Sequence, residues 1–244
     1  MDENRQHGQS KIMFYYFSDE KNLFISYAKV ATSHLPKYNL EKKGPRQHKF
    51  NDNFSEYENV FGLYREPYDR FFSGLIQGII TSQMLTPELI KTYLNNPLDF
   101  TPLFTNEEFW KISITHLEDN LKTLNMSFTE YLCDKINIEI NRHCTNRLIY
   151  YKDKKYLYNP NIKFLNIKNL DPTMENLGYK ILEFNDKREH TNSTKENLRV
   201  KDPEQVKNIL IKVCKESNLW EEIVTYLKPE VNIFEYLELK NVSN

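Results

Sequence analysis

FGLYREPYDRFFSGL, residues 61–75, passes from a strand-like run into a helix-like one, with Arg65 and Ser73 on either side of the joint. Phe71, Phe72, Leu75, Ile76, Ile79 and Ile80 recur at the i, i+4, i+8 spacing of one apolar helix face. Pro67 suits the first helical position, where its missing N–H is no loss. Ser73 then lies about 9 Å along the helix axis from Pro67. An arginine at the strand end can reach back beside that helix, so a guanidinium fork and a serine hydroxyl can share one phosphate. The same residues admit a plainer arrangement, in which Arg65 pairs with Glu66 or Asp69 and Ser73 is a small packing residue.

A second joint of this kind lies upstream, in LFISYAKVATSHL, residues 23–35. A run apolar on both faces reads as a buried central strand ending near Tyr27. A loop of small residues and a short helix follow. Backbone N–H groups at such a helix start, together with the helix dipole, favour an anion. Lys29 adds a mobile cation, and Thr32 and Ser33 add hydroxyl donors. The loop holds no glycine and lacks G-x-x-x-x-G-K-[ST], so it is not a Walker A loop. An ordinary strand-to-helix turn with a surface lysine is the plain alternative. In a parallel α/β sheet both joints fall at the carboxyl edge of the strands, where ligands bind. Two anion sites on one edge suit a ligand with phosphates at two ends.

The remaining segments extend an α/β pattern. Residues 1–10 read as a flexible tail. KIMFYYF and NLFISYA, separated by SDEK, read as a hairpin or two successive strands over residues 11–28. NVFGLY is a strand, and KKGPRQHKFNDN a polar connection. Residues 86–95, 106–123, 127–140 and 203–228 read as helices, and TPEL and TNEE as helix starts with a threonine N-cap. KFLNI, residues 163–167, is a strand running into a helix that Asp171 caps, with Pro172 at its first position. Residues 185–202 are polar and breaker-rich, hence an exposed loop. This order predicts a single domain over residues 11–244, an α/β fold with a mostly parallel central sheet flanked by helices.

Composition sets limits on function. Of 244 residues, 33 are Lys or Arg and 34 are Asp or Glu, a net charge of −1. That balance argues against a protein that coats nucleic acid or an anionic membrane. Cys133, Cys144 and Cys214 form no C-x-x-C pair, so neither a structural zinc site nor a disulfide framework is indicated; reduced thiols in a cytoplasm are expected. No apolar run is long enough to span a bilayer, and MDENRQHGQS lacks the apolar stretch of a signal peptide.

The motifs carry a resemblance. FYYFSDEKNLFISYAKVATSHL resembles the opening of the carbohydrate sulfotransferases, in which a strand, an acidic turn and a second strand lead into a Pro-Lys-Val-(Ala/Gly)-small-Thr loop. FGLYREPYDRFFSGL is similar to that family's second motif, Arg-(Glu/Asp)-Pro, an aromatic, Arg, and a serine eight residues after the first arginine. NRHCTNRLIYY, residues 141–151, resembles a later histidine-containing segment, and IKFLNIKNLDPTMENLG a late strand–helix. Two departures stand out: Ala28 replaces the usual loop proline, and Cys144 follows the motif histidine where many members have Trp.

The resemblance implies a P-loop-like three-layer sandwich and transfer of a sulfuryl group from 3′-phosphoadenosine 5′-phosphosulfate to a hydroxyl acceptor, with 3′,5′-ADP as product. It implies that Lys29, Val30, Ala31, Thr32 and Ser33 hold the 5′-phosphosulfate, and that Arg65 and Ser73 hold the 3′-phosphate. Catalysis would be positioning and charge stabilisation without a metal, Lys29 neutralising charge on the bridging and leaving oxygens. The general base would be His143, whose segment matches the family's, or His34, which follows the anion loop. Arg199 and Lys201, late in the basic loop 185–202, would close over the nucleotide. Tyr150, Tyr151, Tyr156 and Tyr158 could form a platform for a sugar or phenol, or serve as core. The acceptor would be a glycan or other small molecule. A P-loop-type nucleotide or metabolite kinase and a catalytically inactive domain of sulfotransferase fold are the alternatives.

Overall fold

In the computed structural model the described residues are 14–27, 30–31, 34–38, 40–43, 54–81, 101–133, 144–145, 148–153, 155–181 and 202–242. The SDEK turn closes a hairpin through Asp19, whose carboxylate accepts from the Lys21 and Asn22 amides at 2.8 and 2.6 Å. An aspartate bonding the backbone two and three residues on is what stabilises such a turn. The hairpin joins β1 (Tyr15–Ser18) to β2 (Asn22–Ser26), every residue of which is buried. The later strands are β3 (Glu41–Lys43), β4 (Asn59–Tyr64) and β5 (Ile162–Asn166), in the sheet order β3-β1-β2-β4-β5.

The architecture is α/β with a mixed sheet. β2–β4 and β4–β5 pair parallel, with Ile25 opposite Gly62 and Tyr64 opposite Asn166. β1 pairs antiparallel with both β2 and β3, so β1 alone runs against the other four. The expectation of a mostly parallel sheet therefore holds for the β2-β4-β5 side that carries the two joints. β3 overlaps the start of the segment read as a polar connection; its residues, EKK, carry no strand pattern and are strand by virtue of their ladder to β1.

Helix α1 spans Pro67–Thr81, with Pro67 at its first position as expected. Glu66 caps it: the carboxylate accepts from the Tyr68 amide at 3.1 Å and the Asp69 amide at 2.5 Å. The next elements are a single helical turn at Thr101–Phe104, α2 (Glu107–Leu124), α3 (Phe128–Cys133), α4 (Ile149–Asp153), α5 (Leu170–Asn176), α6 (Pro203–Lys215) and α7 (Leu219–Val242). Three expected caps and bounds shift. Asn106, not Thr105, caps α2. Asn169 stands at the N-cap of α5, and Asp171 lies in its first turn. The helix expected over 203–228 is two helices, broken where the Ser217 hydroxyl accepts from the Leu219 amide at 3.3 Å, and the second continues past Pro229. The expected helix at 86–95 lies outside the described residues.

Two apolar clusters form the core. One joins the α1 face (Phe71, Phe72, Leu75, Ile76, Ile79) to α2, α3, α6 and the start of α7. The other wraps the sheet and takes in Tyr151, Leu170, Met174 and the end of α7. Arg70 of α1 and Glu230 of α7 are 1% and 0% exposed and bridge these layers at 2.6 Å. Burial disfavours the Arg70 guanidinium, but the charge and hydrogen bond of Glu230, with Tyr27 and Tyr226 adding, together outweigh it and raise its pKa above the ordinary value. Glu230 also accepts from the Leu148 amide at 2.6 Å. Among the described residues no helix is long and apolar enough to cross a membrane.

Two stability outcomes follow from this packing. Arg70→Met strands a buried carboxylate and should cost about 3–5 kcal/mol, while Arg70→Met with Glu230→Leu should recover part of that loss, as read by denaturant unfolding. Gly62→Ala would set a Cβ 2.7 Å from Phe164 Cε1. The Phe164 ring lies against Tyr151 at 5.2 Å, so it has little room to yield, and a loss of about 1–3 kcal/mol is expected in the same assay.

Candidate functional site at the carboxyl edge of the sheet

β2 and β4 are neighbours and parallel, so the chain leaves both at one edge, the strands about 5 Å apart. The Tyr151 hydroxyl fixes that edge from below, reaching the carbonyl oxygens of Ile25 at 2.8 Å and Leu63 at 2.9 Å. Both joints expected to hold anions thus open side by side.

At the second joint the structure brings Arg65 and Ser73 together. An Arg65 terminal nitrogen donates to the Ser73 hydroxyl oxygen at 3.1 Å. The plainer arrangement holds as well: Arg65 Nε pairs with Asp69 at 2.5 Å. Asp69 in turn takes Lys207 of α6, a cation that no local pattern linked to this joint, being 138 residues away. Lys207 also pairs with Glu204 at 2.6 Å. Burial pushes the Asp69 carboxyl up, but Arg65 and Lys207 outweigh it and hold it below the usual carboxylate range. Burial alone would lower Lys207; Asp69 and Glu204 raise it above its ordinary value. Because Glu66 takes the first amides of α1, an anion here would be held by side chains and not by the helix start. Arg65, Lys207 and the Ser73 hydroxyl are donors of the kind a phosphate takes, and the carboxylates of Asp69 and Glu204 balance the two positive charges.

At the first joint, Val30 and Ala31 are described, whereas Lys29, Thr32 and Ser33 lie outside the described residues, as do His143, Arg199 and Lys201. The Ser26 hydroxyl donates to the Val30 carbonyl, and the Val30 amide donates to the Tyr27 carbonyl at 3.0 Å. The His34 and Leu35 amides both donate to the Ala31 carbonyl, at 2.9 and 3.0 Å. Ala31 has φ of 53°, in the left-handed region. That conformation costs a non-glycine residue about 1–2 kcal/mol and is the one that turns successive N–H groups toward a common point. The loop without glycine therefore contains the backbone shape that a glycine would otherwise serve. The Ala31 N–H donates to no described group.

His34 emerges from this loop and ends at α5. Its Nε2 is 2.6 Å from Asp171 Oδ1, and the Tyr38 hydroxyl donates to the same oxygen at 2.6 Å. Burial pushes the Asp171 carboxyl up, but the bonds from Tyr38 and His34, with Lys37 nearby, hold it below the usual carboxylate range. Burial and Asp171 raise the Tyr38 hydroxyl above its ordinary value. His34 and Asp171 are 137 residues apart, and Asp171 reads locally as a helix cap, so nothing in the sequence joins them.

The tyrosines divide. Tyr151 and Tyr156 are 0% and 3% exposed and belong to the core, so neither is a platform for an acceptor; Tyr150 packs beside that cluster and Tyr158 is exposed. Cys144, the departure after the motif histidine, is fully buried, its sulfur 4.0 Å from the Phe71 carbonyl oxygen. It supports α1 from the core. Among the described residues no group of three or more His, Cys, Asp or Glu side chains could hold a metal ion.

The Asp69 cluster makes stability depend on pH in a definite sense. A carboxyl whose folded pKa is depressed stabilises the fold above its unfolded pKa, near 4, and loses that contribution as pH falls through the lower folded value. Thermal midpoints of the wild type should therefore fall more steeply below about pH 4 than those of Asp69→Asn, and parallel curves would remove the cluster from the account. No family model, curated protein or solved structure matches the chain.

Proposed function

We propose that the chain is a sulfotransferase of P-loop-like, three-layer architecture that takes the sulfuryl group of 3′-phosphoadenosine 5′-phosphosulfate to a hydroxyl acceptor, a glycan or other small molecule. The observation that carries this reading is the 3.1 Å contact of Arg65 with Ser73 at the end of β4, one strand from the loop that holds a left-handed Ala31. Spacing and resemblance named those two side chains together, and a guanidinium beside a hydroxyl is the pairing a phosphate needs.

The donor supplies an activated sulfuryl group. Arg65 and Ser73 bind its 3′-phosphate, and Lys207 shares the Asp69 carboxylate with Arg65. The β2 loop, from Lys29 to Ser33, holds the opposite end, with Lys29 neutralising charge on the leaving oxygen. A histidine, His34 or His143, takes the acceptor proton. Arg199 and Lys201 close over the nucleotide. The buried, unbridged Cys144 and Cys214 suit a reducing, cytoplasmic compartment; burial, with Glu118 adding, pushes the Cys214 thiol up to about 12, which leaves it unreactive.

Thermal shift tests the reading directly. A gain with 3′,5′-ADP and none with 5′-AMP is expected. A gain only with ATP and Mg²⁺ would mark a kinase, and none with any nucleotide a domain of this fold without the activity. Arg65→Ala should weaken 3′,5′-ADP by about tenfold or more, the loss of one charged hydrogen bond, with the fold intact by circular dichroism. Unchanged affinity would remove Arg65 from the site.

A further inference from the structure

Asp171 of α5 touches the β2 loop through its one histidine, and the hydrogen-bond chemistry fixes that histidine's tautomer. An ionised carboxylate only accepts, and Asp171 is held ionised at neutral pH by its two donors and Lys37. The His34 nitrogen 2.6 Å from Oδ1, Nε2, must then carry the proton. In the neutral imidazole the lone pair is left on Nδ1, which accepts from no described residue. The ring is held on three sides. Its backbone amide is bonded to Ala31, its Nε2 to Asp171, and its face meets the Tyr38 ring edge-on at 5.6 Å. Tyr38 is 3% exposed and its hydroxyl donates to the same carboxylate oxygen, so Asp171 cannot swing away from the histidine without also giving up that part-buried hydrogen bond. The His34 side chain keeps 33% of its surface, enough to meet a substrate.

We infer that His34 is the general base of the transfer and that Asp171, braced by Tyr38, is its positioning residue; this rests on the sulfotransferase reading. The acceptor proton moves to His34 Nδ1 as the acceptor oxygen bonds to sulfur. The bond between sulfur and the bridging oxygen breaks, and its electron pair leaves on 3′,5′-ADP. The arrangement follows the logic by which a carboxylate orients a histidine for proton abstraction. It assigns the base to a residue that follows the anion loop directly, in place of His143.

The test combines turnover with a readout independent of it. Nitrogen-15 NMR of the whole protein should show His34 protonated on Nε2 and bare on Nδ1. Asp171→Asn, whose amide can donate to Nε2, should move the proton to Nδ1, and Asp171→Glu should restore the original tautomer. With sulfuryl transfer to a panel of hydroxyl acceptors as the activity, His34→Gln should lower kcat about 10²–10⁴-fold. Asp171→Asn should lower kcat with the KM for the donor unchanged, and Asp171→Glu should recover part of it. A tautomer that ignores Asp171→Asn, or turnover that survives His34→Gln and falls with His143→Gln, overturns the inference while leaving the sulfotransferase reading in place. Failure of the wild type to bind 3′,5′-ADP overturns both.

Discussion

Arg70 and Glu230 form an ion pair that water does not reach, and the placement of the candidate site depends on it. Burying two charges is costly and is repaid only by good geometry and further hydrogen bonds. Here the 2.6 Å contact and the Leu148 amide on the second carboxylate oxygen meet that demand. The pair joins α1 to α7 and to the chain entering α4. Because α1 is rigid, fixing Arg70 also fixes Asp69 beside it and Ser73 three residues on, and through them the approach of Arg65. The cluster that would grip a phosphate is thus positioned from the core outward, by a buried charge pair in the same turn of the same helix.

The polar side chains at the sheet edge are arranged by long-range contacts of one kind. Each is a side chain from a late helix reaching the early half of the chain: Lys207 to Asp69 in the first turn of α1, Asp171 to His34, Tyr151 to Ile25 and Leu63. Glu238 of α7 adds another, accepting from the Tyr64 hydroxyl at 2.6 Å and the Asn166 amide at 3.0 Å at the ends of β4 and β5. The early half of the chain supplies the two strand-to-helix joints, and the late half orients their side chains.

Legibility in the sequence follows the range of the interaction involved. β4 was readable because NVFGLY is apolar between polar flanks, and its six residues form the strand as expected. α1 was readable from its apolar period and Pro67. The Arg65–Ser73 contact was readable because eight residues separate the pair, and helix geometry converts that spacing into proximity. β3 was not, since Glu41–Lys43 is strand only through its partner β1. The extent of α7 was hidden by Pro229, a residue that usually ends a helix; Ile233 and Leu237 beyond it are buried, and that burial sustains the last turns. The roles of Lys207 and Asp171 depend on contacts across more than a hundred residues, which no local period encodes.

The Tyr151 hydroxyl has one proton to share between two carbonyl oxygens that belong to neighbouring strands. Neither strand can slide along the other without giving up its share, and the ring beneath is wholly enclosed. The rim of the sheet is therefore a fixed span between the ends of β2 and β4, and in the proposed sulfotransferase that span would act as a caliper. A molecule bearing anionic groups at both ends would be admitted by its span, and one of the right charge but the wrong length would fill one jaw and miss the other.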